Sequence, residues 1–320
     1  MGAAIPSRTR AGGKKPHKPP RLGPGSVIGI AAPAGPFEPK RLSRGVDVLR
    51  AMGFEVVVPE GFHAARGYLA GNDAHRAGAL NRLLADPGID AVMCARGGYG
   101  SLRILPLLDY AHLAANPKAL IGFSDVTALL AAVCSRCRLV VFHGPMVTTL
   151  ADASDKTLSG LLEAVASDRP VVARPENALA LRPGTAVGQV IGGNLTTLCH
   201  LIGTPFAPRF RDRIVFLEER GEAPYRIDRM LVHLRAAGCF EAVRGLVLGS
   251  FEECGDPAEV LEIVADVLQG TEIPILAGLE SGHGEPNLTL PLGAPAVLDT
   301  GNRTLAFECA TNERAMPKMR

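Results

Sequence analysis

The residues of this sequence that could do covalent chemistry are a serine, a few histidines and a pair of glutamates, each placed at the end of an apolar run. Gly122-Phe123-Ser124-Asp125 closes the run Ala119–Phe123 and precedes the helical spacing of Val126–Val133. A serine at such a junction stands on a sharp turn with its hydroxyl raised. The free N–H groups of the following helix lie beside it, available to a developing oxyanion. Serine and aspartate are also the ordinary helix N-caps, and on this motif alone a cap is the favoured reading. Only the first glycine of a GxSxG elbow is present. Arg96-Gly97-Gly98-Tyr99-Gly100 follows a second run, Ala91–Ala95. Its glycines let the backbone approach a ligand closely, as a phosphate nest, an oxyanion strand or a bare tight turn. No GxGxxG or P-loop stands in a strand–helix context, so no nucleotide cofactor is expected.

A serine nucleophile needs a base within hydrogen-bond reach and a third group to orient that base. His17 lies in a basic head, and His63, His75, His112 and His233 fall on polar or helical surfaces. His143, His200 and His283 remain. His283 sits in the loop Glu280-Ser281-Gly282-His283-Gly284-Glu285-Pro286 after an apolar strand, where catalytic groups tend to be carried. His143, in Phe142-His143-Gly144-Pro145, also ends a strand and competes with it. Glu218 and Glu219 follow Ile214–Leu217 directly, and either could be an exposed strand terminus or the orienting acid. The order Ser…Glu…His is one that α/β-hydrolases use. There is no HExxH and no histidine pair at ligand spacing, so no metal is expected. Cys134-Ser135-Arg136-Cys137 is a lone CxxC within a helical stretch, read as buried, reduced thiols.

The elements that must position these groups alternate short apolar runs with amphipathic stretches, the sign of a parallel sheet with crossover helices. Strands are predicted at Val27–Ala32, Phe54–Val58, Ala91–Ala95, Ala119–Phe123 and Leu139–Phe142. Helices are predicted over 38–52, 73–85 and near 101–108. These units make a flavodoxin-like doubly wound α/β domain over residues 23–150. Residues 151–184 change to mixed polar composition with Pro170, Pro175 and Pro183, and are read as a linker. Residues 185–320 read as a smaller mixed α+β domain, with strands at Ala186–Ile191, Ile214–Leu217 and Gly245–Leu248 and helices over 226–237 and 257–268.

The chain has 320 residues, 47% apolar and 21% charged, which places it among globular proteins of two or three domains. No apolar stretch reaches the length of a membrane-spanning helix. Residues 1–22 carry Arg8, Arg10, Lys14, Lys15, Lys18 and Arg21, no acid, and several prolines and glycines. They read as a disordered basic tail without the apolar region of a secretory signal. The remainder holds more acids than bases, against a nucleic-acid-binding surface. Seven cysteines, an odd number, argue for a reducing compartment, the cytoplasm.

Taken in order, Ala95-Arg96-Gly97-Gly98-Tyr99-Gly100, Ile121-Gly122-Phe123-Ser124-Asp125, Phe142-His143-Gly144-Pro145-Met146, Gly192-Gly193-Asn194-Leu195, Phe216-Leu217-Glu218-Glu219 and Gly282-His283-Gly284 resemble the LD-carboxypeptidases, from about Ser26 to Phe307. These are serine peptidases of bacterial cell-wall recycling. The resemblance implies Ser124 as nucleophile, His283 as general base and Glu218 as its orienting acid. The position after that acid is often Asp in the family and is Glu219 here. It implies an oxyanion hole from the N–H groups of Gly98 and Asp125, with the Asp125 carboxylate free to cap its helix. It further implies a cleft site between two domains, a homodimer, no cofactor, and a murein tetrapeptide substrate losing its terminal D-alanine. Arg96, beside Gly97 and Tyr99, is the candidate for holding the substrate carboxylate, with Arg226 as a second candidate that also reads as a surface ion pair. Similar microcin-C self-immunity peptidases act on nucleotide-linked substrates, and some stack a purine on tryptophan; this chain has none, with only 4 Tyr and 11 Phe. A catalytically silent two-lobed binding protein is the non-enzyme alternative.

Overall fold

The computed structural model describes residues 15–59, 61 and 65–313. His63 and residues 1–14 of the expected tail lie outside them. The first layer is built from β1 (Val27–Ala31), α1 (Pro39–Ala51), β2 (Glu55–Val57), α2 (Asp73–Ala85), β3 (Ala91–Cys94), α3 (Ser101–Ile104), α4 (Tyr110–Ala115), β4 (Ala119–Gly122), α5 (Thr127–Cys137), β5 (Val141–His143) and α6 (Val147–Leu150). Strands β3, β4 and β5 are buried along their whole length, because helices cover both faces of a parallel sheet, and so they read as unbroken apolar runs. Helix α1 starts on Pro39 and buries Leu42, Val46 and Leu49 at helical spacing. The Asn72 side chain caps α2 by accepting from the His75 N–H at 2.8 Å.

Parallel strands β2-β1-β3-β4-β5 lie in the order of a flavodoxin-like sheet. The chain continues through α7 (Asp155–Ala166), β6 (Val172–Ala173), β7 (Leu179–Arg182), β8 (Thr185–Asn194), α8 (Leu195–Leu201), β9 (Arg213–Arg220), α9 (Pro224–Ala236), β10 (Gly245–Glu252), α10 (Pro257–Val267), β11 (Ile275–Ala277), β12 (Leu290–Leu292), β13 (Pro295–Asp299) and β14 (Thr304–Phe307). Its eight-stranded sheet has the order β6-β14-β13-β8-β9-β10-β11-β7. Strands β8 to β11 are parallel, and antiparallel strands flank them. Both glutamates and His283 therefore leave the carboxyl ends of a second parallel core.

The structure corrects three expectations about organisation. Residues 151–184 are no linker: they form α7, β6 and β7, and these two strands close the two edges of the second sheet. Prolines there sit between elements rather than marking a flexible hinge. Residues 185–320 are not confined to one domain, because β12 returns to the first sheet and pairs antiparallel with β5, Leu290 opposite His143. Residues 15–22 are not a solvated tail. His17 bridges Leu139, Pro20 bridges Asn312, and Arg21 pairs with Asp168 at 2.9 Å. Leu22 is buried in the core, and its N–H donates to the Val165 carbonyl at 2.9 Å.

A tail would tolerate any residue at position 22, whereas a core leucine leaves a cavity when truncated. Leu22→Ala is expected to lower stability by roughly 2–5 kcal/mol, read as a lower urea midpoint at unchanged slope. An unchanged midpoint would return this segment to the tail.

Candidate active site

Strand β4 delivers Phe123 in extended backbone, and the chain then turns so sharply that Ser124 takes φ 62°. A non-glycine residue in this left-handed region costs on the order of 1–3 kcal/mol and persists only where the surroundings fix it. Ser124 is not an N-cap: a short 3-10 turn, Ser124–Val126, separates it from α5, and neither it nor Val126 makes a side-chain cap. The hydroxyl is free to do something else, and it meets His283. Ser124 Oγ lies 3.1 Å from His283 Nε2, and His283 Nδ1 lies 2.7 Å from Glu218 Oε2. With Glu218 ionised, Nδ1 carries the proton and donates to it, leaving Nε2 to accept from the serine hydroxyl.

Glu218 is 0% exposed, and its Oε1 has no hydrogen-bond partner among the described residues. Glu219 points elsewhere, as successive strand residues must. It accepts from Asn194 Nδ2 (2.8 Å), the Thr196 N–H (2.7 Å) and the Arg220 N–H (2.9 Å), and burial raises its carboxyl above the usual range. The choice between the two glutamates left open by the sequence is thus resolved by strand alternation: Glu218 faces His283.

His143 is not brought to the serine. It lies fully buried on β5, with both ring nitrogens unpartnered among the described residues. Phe123 stands between the two imidazoles, its centroid 4.9 Å from His283 and 5.9 Å from His143, and Phe216 backs His143 at 5.0 Å. Burial pushes the His143 pKa down to about 3, with repulsion from His283 adding to it.

Around Ser124, the glycine run forms the facing wall. A Cβ on Gly97 would crowd Ser124 Oγ at 3.0 Å, and Gly98 has φ 106°, a backbone conformation that favours glycine. The Asp125 carboxylate does not cap its own helix, as the resemblance allowed. Oδ2 accepts from the Ser101 N–H at 2.9 Å and so ties the serine turn to the start of α3, just past the glycine run. Arg96 is exposed and donates to the Pro36 carbonyl at 2.6 Å; Tyr99 is 46% exposed at the rim.

Sequence reading missed the groups that hold these walls. Arg76, fully buried, donates to the Pro33 and Gly100 carbonyls and pairs with Asp73, tying the Gly100 end of the glycine wall to the loop after β1. A mid-helix arginine carries no local sign of this. The His283 loop is tied at each step. Gly282 N–H donates to Asn287 Oδ1 (3.0 Å), Gly284 N–H donates to Ser250 Oγ (3.1 Å), and Glu285 accepts from the Ser154 N–H (3.0 Å) and the Thr157 hydroxyl at the head of α7. Gly282 has φ 125°, and a Cβ there would fall 2.6 Å from Glu218 Oε2. Cys134 and Cys137 belong to α5, and burial raises both thiols to about 11, which keeps them protonated and inert.

A serine on a strained strand–helix turn, an imidazole and a buried carboxylate, on a doubly wound layer facing a second sheet, define a serine hydrolase of two α/β layers. Residues 28–144 match the LD-carboxypeptidase N-terminal domain and residues 187–298 the LD-carboxypeptidase C-terminal domain. The chain belongs to the LD-carboxypeptidase family and is a serine-type carboxypeptidase. A Streptomyces coelicolor protein provisionally named a carboxypeptidase is 40% identical over 297 residues, covering 91% of this chain and 96% of its own. The solved structure of the microcin C7 self-immunity protein without ligand superposes with a TM-score of 0.87 at 29% identity, covering 93% of this chain and all of that one. That of a muramoyltetrapeptide carboxypeptidase from Oxalobacter formigenes gives 0.80 at 30% identity, over 91% of this chain and 100% of its own.

The buried neutral His143 gives a pH signature. It stays uncharged in the fold down to about pH 3, while in the unfolded chain it binds a proton below about 6.5. The unfolded state therefore binds more protons between these values, and stability falls as pH falls through that window by up to about 1.4 kcal/mol per unit. His143→Phe is expected to lose stability less steeply than wild type between pH 6.5 and 5, measured by urea denaturation. Parallel curves would remove His143 as the cause.

Proposed function

We propose that this enzyme removes the terminal D-alanine from murein tetrapeptides, L-Ala-γ-D-Glu-diaminopimelate-D-Ala, in cytoplasmic recycling of cell-wall fragments. The observation that carries the chemistry is the continuous Ser124–His283–Glu218 relay at 3.1 and 2.7 Å. The murein substrate is supported by the likeness to the Oxalobacter formigenes muramoyltetrapeptide carboxypeptidase. All seven cysteines are unpaired thiols, which supports a reducing compartment.

In this reading Ser124 Oγ attacks the carbonyl joining the L-centre of the diamino acid to D-alanine, while His283 Nε2 takes the hydroxyl proton. Glu218 holds the imidazole in the required tautomer and stabilises the imidazolium. The oxyanion falls to the N–H groups of Gly98 and Asp125, and removing one such donor costs roughly 10²–10³ in rate. The C–N bond breaks as His283 returns the proton to the departing D-alanine amine. Water then attacks the acyl-enzyme, its proton passing to His283, and Ser124 recovers its hydroxyl. Arg96, with Gly97 and Tyr99 along the same wall, holds the terminal carboxylate; one of its nitrogens is engaged by Pro36 and the fork is otherwise exposed.

One observation favours a second reading, an aminoacyl- or peptidyl-nucleotide substrate like that of the microcin-C immunity peptidases. Tyr68 and Tyr99, 64% and 46% exposed, stand 5.7 Å apart beside the glycine wall and offer an aromatic face without tryptophan.

Purified enzyme is expected to release D-alanine from the diaminopimelate tetrapeptide, to be labelled at Ser124 by a serine-reactive phosphonate, and to be insensitive to chelators. Ser124→Ala should lower the rate by at least about 10³-fold. Release that survives this substitution would overturn the site assignment. No release from folded enzyme, with cleavage of a peptidyl-nucleotide instead, would favour the second reading.

A further inference from the structure

The glycine wall that faces Ser124 has little of its own to hold it. Gly98 and Gly100 take φ 106° and 132°. Glycine reaches such values freely and leaves them as freely. The one side chain in the run from Gly97 to Gly100, Tyr99, stands at the exposed rim. A wall that is to aim a backbone N–H must therefore be fixed from outside, through its carbonyls.

The loop after β1 supplies the first anchor. The Gly35 N–H donates to the Gly97 carbonyl at 3.0 Å. In a trans peptide the carbonyl and the following N–H point in opposite directions, so the bond that fixes the Gly97 oxygen also aims the Gly98 N–H. A Cβ on Gly35 would lie 3.0 Å from that oxygen, which shows how closely loop and wall approach. Arg76 supplies the second anchor. Its Nη1 donates to the carbonyl of Pro33, two residues before Gly35, and to that of Gly100 at 2.9 Å. A Cβ on Gly100 would fall 2.7 Å from the same nitrogen, so the guanidinium fills the space behind the wall.

Arg76 is itself held on its other side. Nη2 donates to Asp73 Oδ1 at 2.6 Å, and Asp73 also accepts from Arg103 Nε at 2.9 Å and Nη2 at 2.8 Å, from the helix into which the wall runs. A buried cation is costly even when paired, and Arg76 Nε has no partner among the described residues. An apolar side chain would pack α2 against the sheet without that cost. What the arginine adds is a rigid, planar fork that joins two loops and a carboxylate at once.

We propose that Arg76 is a positioning residue of the oxyanion hole: by clamping Pro33 to Gly100 it keeps the Gly35–Gly97 bond made and the Gly98 N–H directed at the reacting oxygen. This rests on the assignment of Gly98 as an oxyanion donor in the reading above. The clamp acts on the transition state and leaves ground-state binding alone.

The test measures D-alanine release from the diaminopimelate tetrapeptide and labelling of Ser124 by a serine-reactive phosphonate, whose phosphoryl oxygen needs the same hole. The end point of labelling counts assembled sites, and its rate reads the hole in each of them. In Arg76→Met, kcat per labelled site is expected to fall by about 10²-fold, the loss that accompanies one oxyanion donor, with KM unchanged and the labelling rate falling in parallel. Arg76→Lys, which keeps the charge without the fork, should recover part of this loss. Gly35→Ala, which crowds the Gly97 carbonyl without touching Arg76, should show the same pattern at about tenfold. If Arg76→Met yields no labelled site, these two variants decide by the same criterion. Fewer labelled sites with unchanged kcat per site, or a raised KM at unchanged kcat, overturns the clamp and leaves the hydrolase reading standing. Labelling of wild type without D-alanine release overturns the murein substrate, and the labelling rates still decide on Arg76. Neither labelling nor release by wild type overturns the reaction itself, and the clamp falls with it.

Discussion

The 3.1 Å contact between Ser124 and His283 joins side chains carried by two different sheets, and holding those sheets in register is the constraint behind much of the architecture. A shift of 1 Å between the layers would break the relay, since a hydrogen bond fades steeply beyond its normal length. The return of β12 to pair with β5 meets this constraint with backbone hydrogen bonds, which are stiffer than a surface of side-chain contacts. The close approach of Gly193 to Thr127, where a Cβ would lie 2.5 Å from Oγ1, adds a second fixed point. Helix α7 supplies a third, since its N-terminal hydroxyls grip Glu285 in the His283 loop.

Within that frame the site stores its cost in places that cannot relax. Ser124 is strained, Glu218 is buried with one oxygen unpaired among the described residues, and Gly282 leaves room for the carboxylate where any side chain would collide. Each feature is unfavourable for folding and serves the proposed reaction: the turn exposes the hydroxyl, and the buried carboxylate orients the imidazole. The apolar stack of Phe123, His143 and Phe216 keeps water from the back of the imidazole.

The first layer was legible because its strands are buried on both faces and its helices carry clear caps and stops; Asp73–Ala85 follows the expected bounds. The serine, the histidine and the paired glutamates were legible as residues at strand ends. What separates Glu218 from Glu219, or His283 from His143, is which face of a strand looks into the cleft, and spacing alone leaves that open. Helix α7, with β6 and β7, escaped notice because its short, proline-flanked segments take their order from partners distant in the chain. The role of Arg76 escaped for the same reason. Its acceptors at Pro33 and Gly100 are backbone carbonyls, which leave no trace in side-chain pattern. Residues 15–22 were misread since proline-rich, basic composition resembles a tail even where single residues such as Leu22 are anchored.

The division of the triad between the two layers also has a meaning in time. Ser124 and His283 stand 159 positions apart along the chain. At ribosomal speeds of about 5–20 residues per second, the hydroxyl leaves the ribosome roughly 8–30 s before the imidazole proposed to activate it. Throughout that interval the growing polypeptide holds a serine with no base, and the last strands to emerge complete the edge on which the two layers meet. Under the proposed mechanism the hydrolase is thus silent during its own synthesis, and its chemistry begins only when the last part of the chain has folded home.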